Sequence, residues 1–134
     1  MKVKCRTISR GCAEGEVLIT SDTISFLGNI DPKTGKVVDG NHELFGQSIK
    51  DKVLVFPHGK GSTVGSYVIY QLFKNGVAPA AMINLESEPI VAVGAIISAI
   101  PLVDRLEKDP GSILKNGMSI KVNSSEGYVE VPEG

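Results

Sequence analysis

One short run in this sequence has residue types and spacing that could do chemistry: Gly59-Lys60-Gly61-Ser62-Thr63. Two glycines let a backbone turn tightly and approach a ligand closely. Lys60 adds a full positive charge. Where such a turn leads into a helix, the unpaired N–H groups at the helix start favour an anion. The hydroxyl of Ser62 or Thr63 could then either cap the helix or react with what the turn holds. Spacing alone leaves both open, because Ser and Thr are preferred at helix starts simply for satisfying a backbone N–H, worth ~1 kcal/mol. The run is not a nucleotide-binding P-loop. The first glycine of that motif would fall at position 54, where Leu54 stands. Gly61 takes the place of the Ser or Thr that must follow the lysine.

The remaining candidates have simpler readings. His58 stands beside the run and His42 precedes Glu43, but neither has the spacing of a metal motif. Glu86 and Glu88 precede an apolar segment and read as charge complementing a helix start. Asp104 and Arg105 read as a solvated ion pair. Cys5 and Cys12 are too few for a metal site built from cysteine alone and read as reduced thiols acting as small apolar side chains.

These residues need elements to position them. Lys52 to Phe56 is a continuous apolar run, as expected of a strand covered on both faces. Val64 to Phe73 follows as a helix with Val64, Val68 and Leu72 at four-residue spacing, stopped by Lys74-Asn75-Gly76. This helix has little polar face, which predicts deep burial or contact with another chain. Ala80 to Leu85 reads as a strand. Ser87-Glu88-Pro89 opens a nearly all-apolar helix through Ala99, expected to be buried, and Ile100 to Val103 is a strand with Pro101 at its edge or start. Ser112 to Gly117 is a helical turn. Met118 to Val122 and Tyr128 to Val131 form a hairpin. Upstream, Lys2 to Ser9, Gly15 to Thr20 and Thr23 to Leu27 read as strands. Asp31-Pro32-Lys33-Thr34-Gly35 and Gly40-Asn41 are turns, and Lys36 to Asp39 reads as a continuation of the sheet. The sum is one mixed α/β domain over residues 1–134, with a β-rich first half and a βαβαβ second half.

Composition narrows the function class. With 134 residues, 42% hydrophobic and 22% charged, the chain can build a core without staples. A net charge of −1 with scattered basic residues argues against nucleic acid, and 5% aromatics without Trp against a base-stacking platform. The longest apolar stretch, Ile90 to Val103, is too short for a bilayer span, and no leader opens the chain. No membrane partner and a cytoplasmic location are expected.

Taken in order, several blocks carry a resemblance: Ile24-Ser25-Phe26-Leu27-Gly28-Asn29-Ile30-Asp31-Pro32, Thr34-Gly35, His42-Glu43-Leu44-Phe45-Gly46, Gly59 to Val68, Glu88-Pro89-Ile90-Val91 and Ile100 to Asp104. Together they resemble the small-subunit, or swivel, domain of the aconitase X family across nearly the whole chain. The resemblance implies a swivelling β/β/α fold and a heterodimer with a large catalytic subunit. It implies a hydro-lyase that removes water from (R)-5-phosphomevalonate, giving trans-anhydromevalonate 5-phosphate for isoprenoid synthesis. Alternatives are a related dehydratase acting on another hydroxy acid, such as a hydroxyproline, or a non-catalytic phosphate-binding module. A 4Fe–4S cluster is implied in the large subunit, with iron accepting the hydroxyl, and no cofactor on this chain. The family's catalytic serine falls on Ser62. Lys60, Gly61 and Thr63 then become substrate-binding candidates, as do Asn29 and Asp31, whose simpler reading is turn chemistry. Ordinary aconitases follow that serine with a carboxylate-gripping arginine. Thr63 stands there instead, which moves carboxylate binding to Lys60 or the large subunit.

Overall fold

The structure is a computed structural model and describes residues 1–132. Its elements are β1 (Lys2–Lys4), β2 (Arg6–Ser9), β3 (Cys12–Ile19), α1 (Phe26–Asn29), β4 (Val53–Val55), α2 (Gly65–Lys74), β5 (Ala81–Ile83), α3 (Pro89–Ile97), β6 (Leu102–Asp104), α4 (Pro110–Ile113), β7 (Ser119–Asn123) and β8 (Tyr128–Glu130). The eight strands lie in the order β1-β8-β7-β3-β4-β5-β6-β2. At the centre β3, β4, β5 and β6 run parallel, and every other pairing is antiparallel.

β4, β5 and β6 are buried at every position, so their sequences show no alternation. The pleat nonetheless sends successive side chains to opposite sides. Leu18, Leu54, Met82 and Leu102 face the helical layer and pack with Phe26, Ile69, Leu72 and Val91. Val17, Val53, Val55, Ala81, Ile83 and Val103 face the other way, against Val3, Ile120, Val122 and Val129 of β1, β7 and β8. That second cluster requires the sheet to curl. β1 and β2 stand at opposite ends of the order although only Cys5 separates them. Eight flat strands would hold those ends ~34 Å apart at ~4.8 Å per strand. The sheet therefore rolls into a barrel-like layer whose helix-covered side carries α1, α2 and α3.

Several expectations change. Lys2 to Ser9 is two strands, because β1 pairs with β8 and β2 with β6. Thr23 to Leu27 is no strand: Ile24 alone bridges Gly59, and the chain then turns into α1. Lys36 and Val37 form isolated bridges with Ser48 and Ile30 rather than extending the sheet. α2 buries Val68, Ile69 and Leu72 but leaves Tyr67 and Phe73 exposed. α3 is likewise half exposed, with Val93, Ile96 and Ile97 on the outside. The sheet can cover only one face of each helix. Pro101 precedes β6 and lends its carbonyl to the N–H of Met82, so an interior strand follows a proline without a lost ladder bond.

Candidate active site

The Gly59–Thr63 turn leaves the carboxyl end of β4 and leads into α2. Its position is fixed from three sides. Asn84, fully buried, donates from its side chain to the Phe56 carbonyl at 3.1 Å and accepts from the Ser87 hydroxyl. The chain ahead of α1 pairs with the turn, through Ile24 N–H to the His58 carbonyl and Lys60 N–H to the Ile24 carbonyl. α3 closes the third side. A Cβ on Gly59 would lie 2.4 Å from Val91 Cγ2 and 2.6 Å from Glu88 Oε1, so only glycine fits there. Glu88 caps α3 by accepting from Ile90 and Val91 N–H at 2.9 and 2.7 Å, as a helix-start carboxylate should.

Within the turn, Gly61 takes φ +90°. Ser62 and Thr63 are exposed. Ser62 Oγ accepts the Val64 N–H at 3.1 Å, and the Ser62 carbonyl accepts from Gly65. Neither Ser62 nor Thr63 caps α2, whose cap residue is Val64 without a side-chain cap bond; the Ser62 bond closes a local turn just ahead of the helix and leaves the hydroxyl's own proton available. Among the described residues, the N–H groups of Gly61, Ser62 and Thr63 have no acceptor, and Lys60 has no ion-pair partner. Three free N–H groups and an ammonium on one turn are donors of the kind an anion takes. The Lys60 N–H, by contrast, is already bonded to Ile24, so Lys60 can serve the site only through its side chain.

The other predicted site residues are placed differently. Asn29 is 7% exposed; its Oδ1 accepts the Ser25 N–H and its Nδ2 donates to Asp39, which holds α1 in place behind the Gly61 turn. Asp31 has both carboxylate oxygens occupied within its own turn, by Lys33 N–H and the Thr34 hydroxyl. These are the bonds of a turn, the simpler of the two readings of this residue. His58 Nδ1 lies 2.8 Å from the Gly59 carbonyl. His42 is buried between the Thr23 carbonyl and the Leu44 N–H. The sequence reading overlooked Ser25, which the Ile24–Gly59 bridge carries against Gly61. Only the pairing of residues 35 apart in the chain could have found it.

Two pairings also differ from expectation. Asp104 is not solvated. It is fully buried, receives two guanidinium N–H groups of Arg6 at 2.8 and 2.7 Å, and accepts the Ser87 N–H at 2.7 Å. Burial pushes this carboxyl up, but the Arg6 and Ser87 bonds outweigh it and hold it below its ordinary range. Arg105 pairs with Glu86 instead. Both cysteines are free, but only Cys5 is partly buried, and Cys12 is exposed rather than packed. Burial, then the Asp104 charge, pushes the Cys5 thiol up to about 11. Among the described residues, no three His, Cys, Asp or Glu side chains are grouped to hold a metal ion, and no helix is long and apolar enough to cross a membrane. Two cysteines in these settings do not fit an iron–sulfur cluster, which takes about four thiolates.

Residues 2–131 match the aconitase X swivel domain, and the chain belongs to that family. The particular relatives sharpen this. A protein named phosphomevalonate dehydratase small subunit, from Methanococcoides burtonii, is 70% identical over 98% of this chain and 96% of its own length. The crystal structure of aconitase X from Thermococcus kodakaraensis in its holo-form superposes with a TM-score of 0.93, at 54% identity and 99% coverage of both chains. A 3-isopropylmalate dehydratase from Methanocaldococcus jannaschii shares the fold alone: its TM-score is 0.60 at 18% identity, over 92% of this chain and 84% of that one.

Proposed function

We propose that this chain is the small subunit of a heterodimeric dehydratase that converts (R)-5-phosphomevalonate to trans-anhydromevalonate 5-phosphate, with Ser62 as proton acceptor. The observation that carries the proposal is an exposed Ser62 hydroxyl beside three free N–H groups and the unpaired Lys60. The substrate is a 3-hydroxy acid with two anionic ends. Dehydration removes a proton from the carbon next to the carboxylate and a hydroxyl one carbon further on. Ser62 reacts as the alkoxide, its own proton having passed to a group of the partner; Oγ takes the substrate proton and returns to the neutral hydroxyl. Lys60 and the N–H groups of Gly61 and Thr63 hold an anionic oxygen of the substrate.

A serine hydroxyl is a weak base in water. The helix start offers at most ~2 kcal/mol of anion stabilisation, or ~1.5 pK units. The Val64 N–H aimed at Ser62 Oγ adds a charge-assisted bond to the alkoxide. Together these fall short, so the site needs donors from a second polypeptide. Exposed apolar side chains on the elements around the turn, Leu27, Val64 and Tyr67, support a partner covering it. In this reading the 4Fe–4S cluster belongs to the large subunit, and removal of the hydroxyl belongs to groups outside this chain. The reaction is cytoplasmic, with no nucleic acid and no membrane.

The test is co-expression with the large subunit encoded in the same genome, followed by assay of the pair and of each chain alone. Turnover of (R)-5-phosphomevalonate by the pair only is the expected result. Turnover by the isolated small chain, or by the pair on a hydroxyproline but not on phosphomevalonate, would refute it.

A further inference from the structure

The strongest unassigned group is the hydroxyl of Ser25. Ser25 stands at the cap position of α1, where a serine ordinarily turns its oxygen onto the helix's own N–H groups. Here it makes no such bond. Its backbone N–H is taken by Asn29 Oδ1, and its carbonyl accepts from Gly28 and Asn29. Among the described residues its Oγ has no hydrogen-bond partner. The oxygen is aimed instead at the catalytic turn: a Cβ on Gly61 would lie 2.7 Å from Ser25 Oγ. Two features thus coincide. Gly61 lacks a side chain where the Ser25 hydroxyl looks in, and that hydroxyl forgoes the local bond open to it. The neighbouring free N–H groups and Lys60 make the space between them electropositive.

We infer that Ser25 is a substrate-binding residue, donating its hydroxyl proton to an anionic oxygen of the substrate held over Gly61. This rests on the dehydratase reading and adds the third segment of the pocket, contributed by the chain ahead of α1. Asn29 acts behind it as a positioning residue, because its bond to the Ser25 N–H sets the direction of that side chain. The anionic oxygen belongs to either the carboxylate or the phosphate, and the two are separable by experiment.

The experiment uses the assembled pair carrying Ser25→Ala or Ser25→Thr. Steady-state kinetics on (R)-5-phosphomevalonate are combined with calorimetric binding of inorganic phosphate and of mevalonate, which keeps the carboxylate and lacks the phosphate. For Ser25→Ala the expected result is about a tenfold rise in KM, the size of a lost hydrogen bond to a charged group. The melting temperature should be unchanged, since no bond within the chain is removed, and Ser25→Thr should recover most of the loss. Weaker phosphate binding assigns the contact to the phosphate. Weaker mevalonate binding with phosphate unaffected assigns it to the carboxylate. Ser25→Ala with KM and both binding constants at wild-type values overturns the inference while leaving the function of Ser62 standing. A wild-type pair without turnover defeats the dehydratase reading instead, and the two binding constants then still decide Ser25.

Discussion

Two polar clusters lie at the carboxyl ends of the same parallel strands, and they use their hydrogen-bonding groups in opposite ways. Around Asp104 the groups answer one another. Arg6 forks onto Asp104, Ser87 N–H completes it, and Glu86 takes Arg105. Around Ser62 they do not: three N–H groups, the Thr63 and Ser25 hydroxyls and the Lys60 ammonium lack acceptors among the described residues. A buried polar group must be satisfied within the chain or it costs about 1–3 kcal/mol. Exposed groups on a rigid turn escape that penalty and stay ready for a ligand. Internal satisfaction marks the first cluster as architecture, and its absence leaves the second open to a ligand, which is what the proposed function requires of it. The two are linked through Ser87 and Glu88, which tie β6 to the start of α3 and so to the Gly59 backbone.

The contrast can be broken or sharpened by substitution. Ser62→Ala in the assembled pair should lower kcat about 1000-fold, the scale of a lost general base. Losing the local bond to the Val64 N–H should cost no more than ~1 kcal/mol of stability. Wild-type turnover with this variant would remove the basis for calling the turn a site. Asp104→Ala should do the reverse, destabilising the fold by about 2–3 kcal/mol through loss of charged hydrogen bonds, with kcat retained in protein that remains folded. The pH dependence has a definite sign. Asp104 is held below its ordinary range in the fold, so its contribution is present above the unfolded carboxyl value near ~4 and disappears as pH falls through the depressed one. Denaturant melts across pH 2 to 6, a range chosen to span ~4, should show Asp104→Ala losing part of the wild-type acid dependence. Lys60→Met should raise KM about tenfold without altering stability, as expected for a charge that contacts only the ligand. Smallest of all, Glu86→Gln should shift stability by no more than ~0.5 kcal/mol, because its partners are exposed. Thiol labelling adds an independent check on the Asp104 side: exposed Cys12 should react at pH 8 while Cys5, pushed up to about 11, stays unmodified.

Local chemistry made much of the second half legible. The Lys52–Phe56 run, the Lys74-Asn75-Gly76 stop and the Glu88-Pro89 start each carry their physical reason within a few residues, and β4, α2 and α3 form where those signals lie. The first half resisted the same approach. Thr23 to Leu27 has strand composition, yet its segment turns into α1, since Phe26 and Ile24 find their burial under α2 rather than in the sheet. Lys2 to Ser9 alternates like one strand, yet its two ends pair with opposite edges of the order. Neither outcome is encoded within a window of ten residues. The candidate site divides in the same way: the turn from Gly59 to Thr63 is visible as a motif, whereas Ser25 joins it only through a bridge between Ile24 and Gly59.

By itself the sequence determined the glycine-flanked serine, its place between a buried strand and a helix, and the shortage of thiolates for a cluster. These follow from residue type and spacing, which act over one or two turns of chain. Tertiary structure alone decided that Asp104 is buried against Arg6, that Asn29 ties α1 to Asp39 and that Ser25 faces Gly61. Each depends on which distant backbone closes around a polar group. That is settled by the curling of the sheet and the burial of its two apolar faces, long-range events on which local propensity has no purchase.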